Sequence, residues 1–411
     1  MIRVLFVDDE QRILDGLGRL LRSKRDDWQV ELACGGEAAL VALEERAFDV
    51  VVSDMRMPGM DGVELLSRVK ESYPETIRIV FSGHSDPLEV MRVVKASHQF
   101  LAKPCDPIVL ESTIGRACAL KTVLGSSELR RVVSKVESLP TLPQLYQDVL
   151  EELESEEPSP VRIGDIISAD PGMTVNVLKL VNSPFFGLRR QITQPGQAVT
   201  LLGTNTVKTL VLGHGLFRQF DAPHVVEMAT VVARHGLATA HGCKALAGLL
   251  GMSRGYQDDA FTAGMLHDLG KLVLCDAIPE VFAQIIDDAD EESIPLGQVE
   301  QRVLGTNHGA VGAYLMGLWG LPDSIVEAVA WHVTPHEVDT SEVGLTTMLH
   351  VADAVAAGAA EAGRVTGSDQ DVFRLDWDFL EDAGLSGTWP RWKATCLEAL
   401  ERGSQRAYAV N

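Results

Sequence analysis

The chain has 411 residues, a length typical of two or three domains that each bury a hydrophobic core. Its 58 acidic residues outnumber the 36 Lys and Arg, and the net charge of -22 argues against a broad surface for nucleic acid or anionic membrane. The six cysteines form no C-x-x-C pair, no apolar run could cross a bilayer, and the N-terminus does not resemble a signal peptide. We therefore expect a cytoplasmic protein with reduced thiols.

Short apolar segments alternate with amphipathic helical patterns over the first 120 residues. The predicted strands are IRVLFV (2–7), VELA (30–33), DVVVS (49–53), IRIVF (77–81) and QFLA (99–102). Asp-Pro pairs at 86–87 and 106–107 are typical of helix starts. This alternation predicts an α/β, doubly wound fold with a parallel five-stranded sheet that is covered on both faces.

Polar residues follow the strands of this predicted sheet, at the edge where parallel α/β sheets place their functional sites. Asp8 and Asp9 end the first strand, and Asp54 ends the third. Three converging carboxylates favour a hard divalent cation such as Mg²⁺, which would allow Asp54 to attack a phosphoryl donor. Ser82 and Lys103 would then contact the transferred group. The alternative is a set of solvated loop residues, but all five positions together favour the site.

The same region carries a series of ordered motifs: VDDE, SDMRMPGMDG, FSGHSD and FLAKP. Together they resemble the receiver domain of bacterial response regulators, across about residues 1–120. The resemblance implies a flavodoxin-like fold, phosphorylation of Asp54 by a cognate histidine kinase, and Mg²⁺ held by Asp8, Asp9 and Asp54.

Two further receiver roles follow from the resemblance. Ser82 and Lys103 match the switch serine and the lysine of the family, and Phe100 matches its aromatic switch. Phosphorylation would bring Ser82 inward and reposition Phe100. This would shift an equilibrium between two states that differ at the surface around the fourth and fifth strands.

From residue 139 the pattern changes to consecutive helices without a convincing strand. The ordered motifs are LPTLPQLY, ISADPGMTVNVLKLVNSPFFG, QAVTLLGTNTVKTLVLG and GMLHDLGKLVL. They resemble the HDOD domain, an all-α, HD-like module related to HD-type metal phosphohydrolases. The predicted domains are a receiver (1–120), a helical linker (121–138), an HDOD domain (139–355) and a C-terminal helical extension packed on the HDOD domain (356–411).

Six titratable residues lie in apolar helical patterns of the second module: His235, His267, Asp268, His308, His332 and Asp353. Any one of them alone would be a satisfied core residue, but six in one helical domain favour a shared purpose. Imidazole and carboxylate ligands suit Fe, Mn or Zn. By resemblance to the HD superfamily, His235, His267, Asp268 and Asp353 would be core metal ligands and His308 and His332 additional ones.

Two nearby residues have predicted supporting roles. Lys271 follows Asp268 by about one helical turn, so its ammonium group would contact a phosphate oxygen. His350 precedes Asp353 by three residues and would orient that ligand.

Two departures from the catalytic relatives bear on function. Val333 stands where the cyclic-dinucleotide phosphodiesterase branch carries a second consecutive histidine, and KLVLCDAIPE replaces that branch's G-Y-P signature. Three functions stay open: an HDOD surface that binds a downstream signalling protein, a metal-dependent phosphohydrolase acting on cyclic dinucleotides, and a nucleotide sensor without turnover. We favour the first and expect no catalysis beyond receiver phosphorylation and dephosphorylation. We expect neither DNA nor membrane as a partner, while a homodimer is a family expectation.

Overall fold

The computed structural model describes most of the chain, and all structural statements below concern these ranges: 1–24, 26–83, 96–120, 124, 127–134, 136, 139–182, 188, 191–214, 216–219, 222–337, 343–361 and 375–408. The helix start predicted at Asp86-Pro87 and most of the N-S-P-F-F-G turn lie outside the described residues.

A five-stranded parallel sheet forms the centre of the N-terminal region. Its strands are β1 (Ile2–Asp8), β2 (Trp28–Cys34), β3 (Val50–Ser53), β4 (Ile77–Ser82) and β5 (Gln99–Ala102). The spatial order is β2-β1-β3-β4-β5, and every pairing is parallel. All residues of β3 and β4 are buried, as expected for strands covered on both faces. The doubly wound α/β prediction is confirmed.

Helices cover this sheet and connect its strands. They are α1 (Gln11–Leu20), continued by a 3₁₀ turn (Leu21–Lys24), then α2 (Gly36–Glu45), α3 (Gly62–Ser72) and α4 (Pro107–Leu120). Asp61 caps α3 by accepting a hydrogen bond from the backbone N–H of Glu64 (2.7 Å). Asp106 similarly accepts from the N–H of Ile108 (2.8 Å), so the predicted Asp-Pro start of α4 is observed.

The rest of the described chain is mostly helical. Its first helices are α5 (Ser127–Val133), α6 (Pro143–Glu154), α7 (Pro160–Ser168), α8 (Pro171–Val181), α9 (Pro195–Leu202), α10 (Thr204–His214), α11 (Pro223–Leu249) and α12 (Arg254–Leu266). The later helices are α13 (Leu269–Ala277), α14 (Pro279–Glu292), α15 (Leu296–Leu304), α16 (His308–Leu318), α17 (Asp323–Trp331), α18 (Leu345–Glu361), α19 (Trp377–Asp382) and α20 (Trp389–Tyr408). Short 3₁₀ turns span Pro335–Glu337 and Ser386–Thr388.

One detail of the helical region differs from the sequence prediction. Two short strands, β6 (Pro140–Thr141) and β7 (Arg218–Gln219), pair in parallel where no strand was expected. Two-residue strands carry too little periodicity to be recognised in a sequence.

Small residues allow α11 and α12 to pack unusually closely. A Cβ added to Gly264 would lie 2.6 Å from the Cα of Ala240, and one added to Gly236 would lie 2.8 Å from the carbonyl oxygen of Met265. Glycine is therefore required at both positions. This close approach places His235 of α11 beside His267, which follows α12 directly; their ring centroids are 5.2 Å apart.

The sheet-containing region and the helical region share a buried seam. Helix α4 packs against α16, and residues from both belong to one apolar core. Gln99 Nε2 of β5 donates to the carbonyl oxygen of Gly317 (3.1 Å), while Arg116 and Asp323 form an ion pair (2.8 Å). The C-terminal end of α16 is thereby joined to the face formed by β4, β5 and α4.

The C-terminal segment closes the helical region. Helix α18 runs to Glu361, so the domain boundary predicted at residue 355 falls inside it. Helix α20 packs on α11 and α18, and Trp389 and Trp392 are buried there. Within the described ranges, none of the helices combines the length and the apolar character that crossing a bilayer requires.

Candidate functional site

The first candidate site lies at the carboxyl edge of the sheet. Lys103 Nζ, just beyond β5, contacts Asp8 Oδ2 at 2.6 Å and Asp54 Oδ2 at 3.1 Å. Backbone N–H groups fix the other carboxylate oxygens: Glu10 donates to Asp8 Oδ1 (2.9 Å) and Met55 donates to Asp54 Oδ1 (2.7 Å). The structure therefore brings together the three strand ends that the sequence analysis singled out.

The donor atoms at this edge fit a hard divalent cation. One oxygen each from Asp8, Asp9 and Asp54 lies within 4.8 Å of the others. Three oxygen donors with a single neighbouring lysine match the coordination chemistry of Mg²⁺ better than that of softer metals.

The two predicted switch residues flank this edge on neighbouring strands. Ser82 ends β4 and is buried, opposite Ala102 in the register of β5. Phe100 lies opposite Val80 and is only 5% exposed, so its ring belongs to the core of the N-terminal region. Ser82 therefore lies at the carboxyl edge of the sheet, and Phe100 lies on the neighbouring strand, two residues before the partner of Ser82.

A second candidate site lies inside the helical region, where all six predicted His and Asp residues converge. Asp353 Oδ1 is 2.7 Å from His235 Nε2 and 3.4 Å from His267 Nε2. Asp268 Oδ1 is 3.4 Å from the Nε2 atoms of both His267 and His308. The His332 ring lies 5.0 Å from that of His267 and 5.3 Å from that of His308, measured between centroids.

The histidine rings are fixed by hydrogen bonds at Nδ1. Those of His267 and His332 are 2.8 Å from the carbonyl oxygens of Gly264 and Val329. Because a carbonyl oxygen only accepts, Nδ1 carries a proton in both rings, and Nε2 has a free lone pair whenever the ring is neutral. Each acceptor lies three residues earlier, at the end of the same helix, and the helix geometry therefore sets the ring orientation.

Three atoms at the centre of this cluster are buried without a hydrogen-bond partner among the described residues: His267 Nε2, His332 Nε2 and Asp268 Oδ1. Buried polar atoms are normally satisfied, so a group of unpartnered atoms of this kind forms a candidate cation site. The nitrogen and oxygen donor set fits Fe, Mn or Zn. Triplets of these residues bring one donor atom each within 4.8 Å of one another.

Electrostatics act differently on the individual donors: burial lowers the pKa of His267, but Asp268 and Asp353 raise it overall, whereas the pKa of His332 is lowered. Burial, together with the neighbouring His267 and His308, lowers the pKa of His332 to about 3, so His332 is neutral at pH 7. Burial alone would raise the pKa of Asp268, but His267, Lys271 and His308 together hold it well below its usual range. An ionised carboxylate thus faces a neutral imidazole.

The two supporting residues both contact members of this cluster. Lys271 Nζ forms an ion pair with Asp268 Oδ2 at 2.7 Å, which places its ammonium group at the cluster. His350 Nδ1 donates to the backbone carbonyl of His332 at 2.8 Å and therefore supports His332, whereas we expected it to orient Asp353.

Sequence reasoning missed Glu300. This residue of α15 is fully buried, and its Oε2 accepts from both the backbone N–H (2.8 Å) and Nδ1 (2.6 Å) of His308. The double contact turns His308 Nε2 towards Asp268. A glutamate eight residues before a histidine has no recognisable spacing, so only the fold reveals the pairing. Val333 packs against Gly297, which lies in α15 like Glu300.

Comparisons with known proteins identify both regions. The response regulator receiver domain matches residues 4–115, and the HDOD domain matches residues 139–335. The transcriptional regulatory protein FixJ of Bradyrhizobium diazoefficiens is 34% identical over 139 residues, covering 33% of this chain and 67% of FixJ. An uncharacterized protein of Treponema pallidum is 25% identical over 233 residues, covering 54% of this chain and 44% of that protein.

A similar solved structure is also known. The MmoQ response regulator from Methylococcus capsulatus is 22% identical, with a TM-score of 0.46, covering 62% of this chain and 98% of MmoQ. The chain spans less than half the length of the first curated relatives that it matches. On the two domain matches and the FixJ similarity, the chain belongs to the response regulators, with a receiver domain followed by an HDOD domain.

Proposed function

We propose that the protein is a response regulator in which phosphorylation of Asp54 controls an HDOD domain that binds a downstream signalling protein. The observation that carries the proposal is the seam: the β4–β5–α4 face of the receiver is joined directly to α16 of the HDOD domain. A cognate histidine kinase would supply the phosphoryl group.

The phosphorylation step follows from the contacts of Asp54. A carboxylate oxygen of Asp54 attacks the phosphorus of the donor, the bond from phosphorus to the donor breaks, and the electron pair leaves with the donor. Mg²⁺ bound by Asp8, Asp9 and Asp54 would neutralise charge on the transferred group. Lys103 already contacts Asp54, so its ammonium group is placed to form an ion pair with the new acyl phosphate.

Helix α16 offers a physical route from the receiver to the HDOD site. Its last turn accepts the Gln99 hydrogen bond at Gly317, and its first residue is His308. All eleven residues are buried, so the helix, about 16 Å long, would transmit a displacement at one end to the other. Phe100, next to Gln99, is the receiver residue whose movement would start that displacement.

The test of this proposal is hydrogen exchange measured on the full chain with and without beryllofluoride, a phosphoryl mimic that adds to the phosphoacceptor. We expect faster exchange in β5 and α16 after addition, and no change in an Asp54→Asn variant. Equal exchange in the wild-type chain with and without the mimic, under conditions where the mimic is shown to bind, would overturn the proposal.

A second candidate function, metal-dependent phosphodiester hydrolysis, is favoured by the orphaned acceptors of His267, His332 and Asp268. A bound metal would supply an acidified water as the nucleophile. Metal analysis of the purified protein separates the two functions. Stoichiometric metal that is lost in a His267→Ala, Asp268→Ala double variant supports hydrolysis. Hydrolysis of cyclic di-GMP by the metal-loaded protein would then establish turnover.

A further inference from the structure

We propose that a cavity at the seam between the receiver and HDOD domains is a binding site for a small oxyanion of the phosphate class. The cavity has a volume of about 180 Å³. The receiver contributes residues 97–101 around β5 and three residues of α4. The HDOD domain contributes Lys179 of α8 and the residues that follow α16. The site exists only while the two domains are docked.

The charge of the lining is opposite to that of the protein as a whole. Lys179 and Arg116 lie in the lining together with His98, whereas none of the described lining residues is Asp or Glu. In a chain with a net charge of -22, the lining therefore favours an anion through Lys179 and through Arg116, whose guanidinium also pairs with Asp323, while His98 accepts a hydrogen bond from the Arg78 N–H and adds no charge.

Two hydrogen-bond donors of the lining residues are left without an acceptor. Arg116 Nε and Trp319 Nε1 are buried and have no hydrogen-bond partner among the described residues. The Trp319 side chain is only 3% exposed, so bulk water cannot satisfy its N–H group. Native proteins rarely leave buried N–H groups unpaired, and the missing partner must be an acceptor.

Lys179 adds the charge that distinguishes an anion from water. Its Nζ lies 5.0 Å above the Trp319 ring, and the residue is buried. Burial, and to a smaller extent the nearby cations Arg78 and Lys70, lower its pKa to about 7. An anion in the cavity would offset this repulsion and favour the charged ammonium group.

The size of the cavity limits the ligand. Sites for drug-sized molecules and nucleotides typically have volumes of about 300–1,000 Å³. A cavity of about 180 Å³ is smaller than those sites and matches inorganic phosphate or a small phosphate ester. The site is therefore distinct in ligand class from the phosphodiester chemistry considered for the His and Asp cluster.

Because both domains line the cavity, ligand binding and domain docking must be linked. An anion that binds only the docked arrangement stabilises it, and undocking weakens anion binding by the same factor. Phe100, the predicted aromatic switch, is also a lining residue. Binding would thus oppose any receiver state in which the segment of β5 around Phe100 leaves the seam.

The test is isothermal titration of the full chain with inorganic phosphate, in EDTA so that no Mg²⁺ supports binding at Asp54. We expect one saturable site. Lys179→Met should weaken binding at least about tenfold because a charge-assisted contact is lost. Trp319→Phe keeps the ring, removes only the N–H, and should weaken binding about 3- to 10-fold. Lys208→Met is the matched control, since Lys208 donates to the Leu153 carbonyl outside the cavity.

Several results would overturn the proposal. Absence of saturable binding in the wild-type chain would mean that water fills the cavity. Unchanged affinity in the Trp319→Phe variant would place any bound phosphate elsewhere, and this variant decides the question if Lys179→Met does not fold. Loss of phosphate binding in an Asp54→Asn variant would assign the phosphate to the phosphoacceptor site. Unchanged phosphate binding in this variant supports the cavity at the seam as the binding site.

Discussion

Individual side chains of this protein act through a second residue that holds them in place. His308 illustrates this, because Glu300 receives both its backbone N–H and its Nδ1. Asp54 is held in the same way by the N–H of Met55. Such supporting contacts decide whether a donor atom points at its site, and they are the first targets for substitution.

Glu300→Gln should weaken metal binding at the His and Asp cluster about 10- to 100-fold. Both donors of His308 bond to the same carboxylate oxygen, and a neutral amide oxygen there would lose the charge assistance of these bonds, so the ring is held less firmly. Metal affinity, measured by competition with a chelator of known strength, is the readout. Glu292→Gln is the control, because Glu292 is exposed and pairs only with Arg302. Equal affinity in both variants would remove Glu300 from the site.

Asp170 provides a pH-dependent test of a buried helix cap. Its carboxylate accepts from the N–H groups of Met173 and Leu142, both at 2.7 Å, and burial raises its pKa from 3.8 to about 6. As the pH rises from 4 to 6, the Asp170 carboxyl group therefore ionises in the unfolded chain before it ionises in the folded chain. The free energy of unfolding consequently falls as the pH rises through this range.

Asp170→Asn removes this ionisation but also loses the bond from Leu142, so the variant should be less stable than the wild type at pH 4. The deficit in the free energy of unfolding should shrink by about 3 kcal/mol between pH 4 and pH 7. Urea denaturation at both pH values measures it. A deficit that stays constant with pH would show that Asp170 titrates normally.

At the scale of elements, the close contact between α11 and α12 determines the second site. Gly264→Ala would force a Cβ to within 2.6 Å of the Ala240 backbone, so the helices must separate. We expect a loss of about 2–4 kcal/mol in unfolding free energy, together with loss of metal binding as His235 moves from His267.

Gly248→Ala is the matched control for this change. Gly248 lies in α11 as well, but its added Cβ would meet only the Gln257 side chain, at 3.8 Å. Alanine should raise the stability slightly there, by about 0.5–1 kcal/mol. If both glycine variants behave alike, the helix contact does not control the site.

Elements also show what a sequence can reveal. The strands of the receiver were predictable because β-branched residues buried on both faces form continuous apolar runs, as in β3 and β4. The six His and Asp residues were predictable through ordered motifs. Glu300, the two-residue strands and Lys179 in the seam cavity were not, because their roles depend on contacts between segments far apart in the chain.

At the scale of the whole molecule, the shared core predicts cooperative unfolding. The apolar cluster that joins α4 to α16 contains residues of both domains, and Ser134 and Tyr314 form a buried hydrogen bond (3.0 Å) beside it. Scanning calorimetry of the unphosphorylated chain should show one transition for both domains. Adding beryllofluoride should split it into two by weakening the seam. Two transitions before addition would contradict a tightly docked resting state.

The complete burial of α16 has a consequence for the form of the signal. A helix that is enclosed along all eleven residues cannot drift gradually, because each small displacement opens voids on one side and clashes on the other. Close-packed interiors of this kind have discrete arrangements rather than a continuum. Individual molecules would therefore respond in an all-or-none manner, and a graded cellular output would arise only from the fraction of molecules in each state.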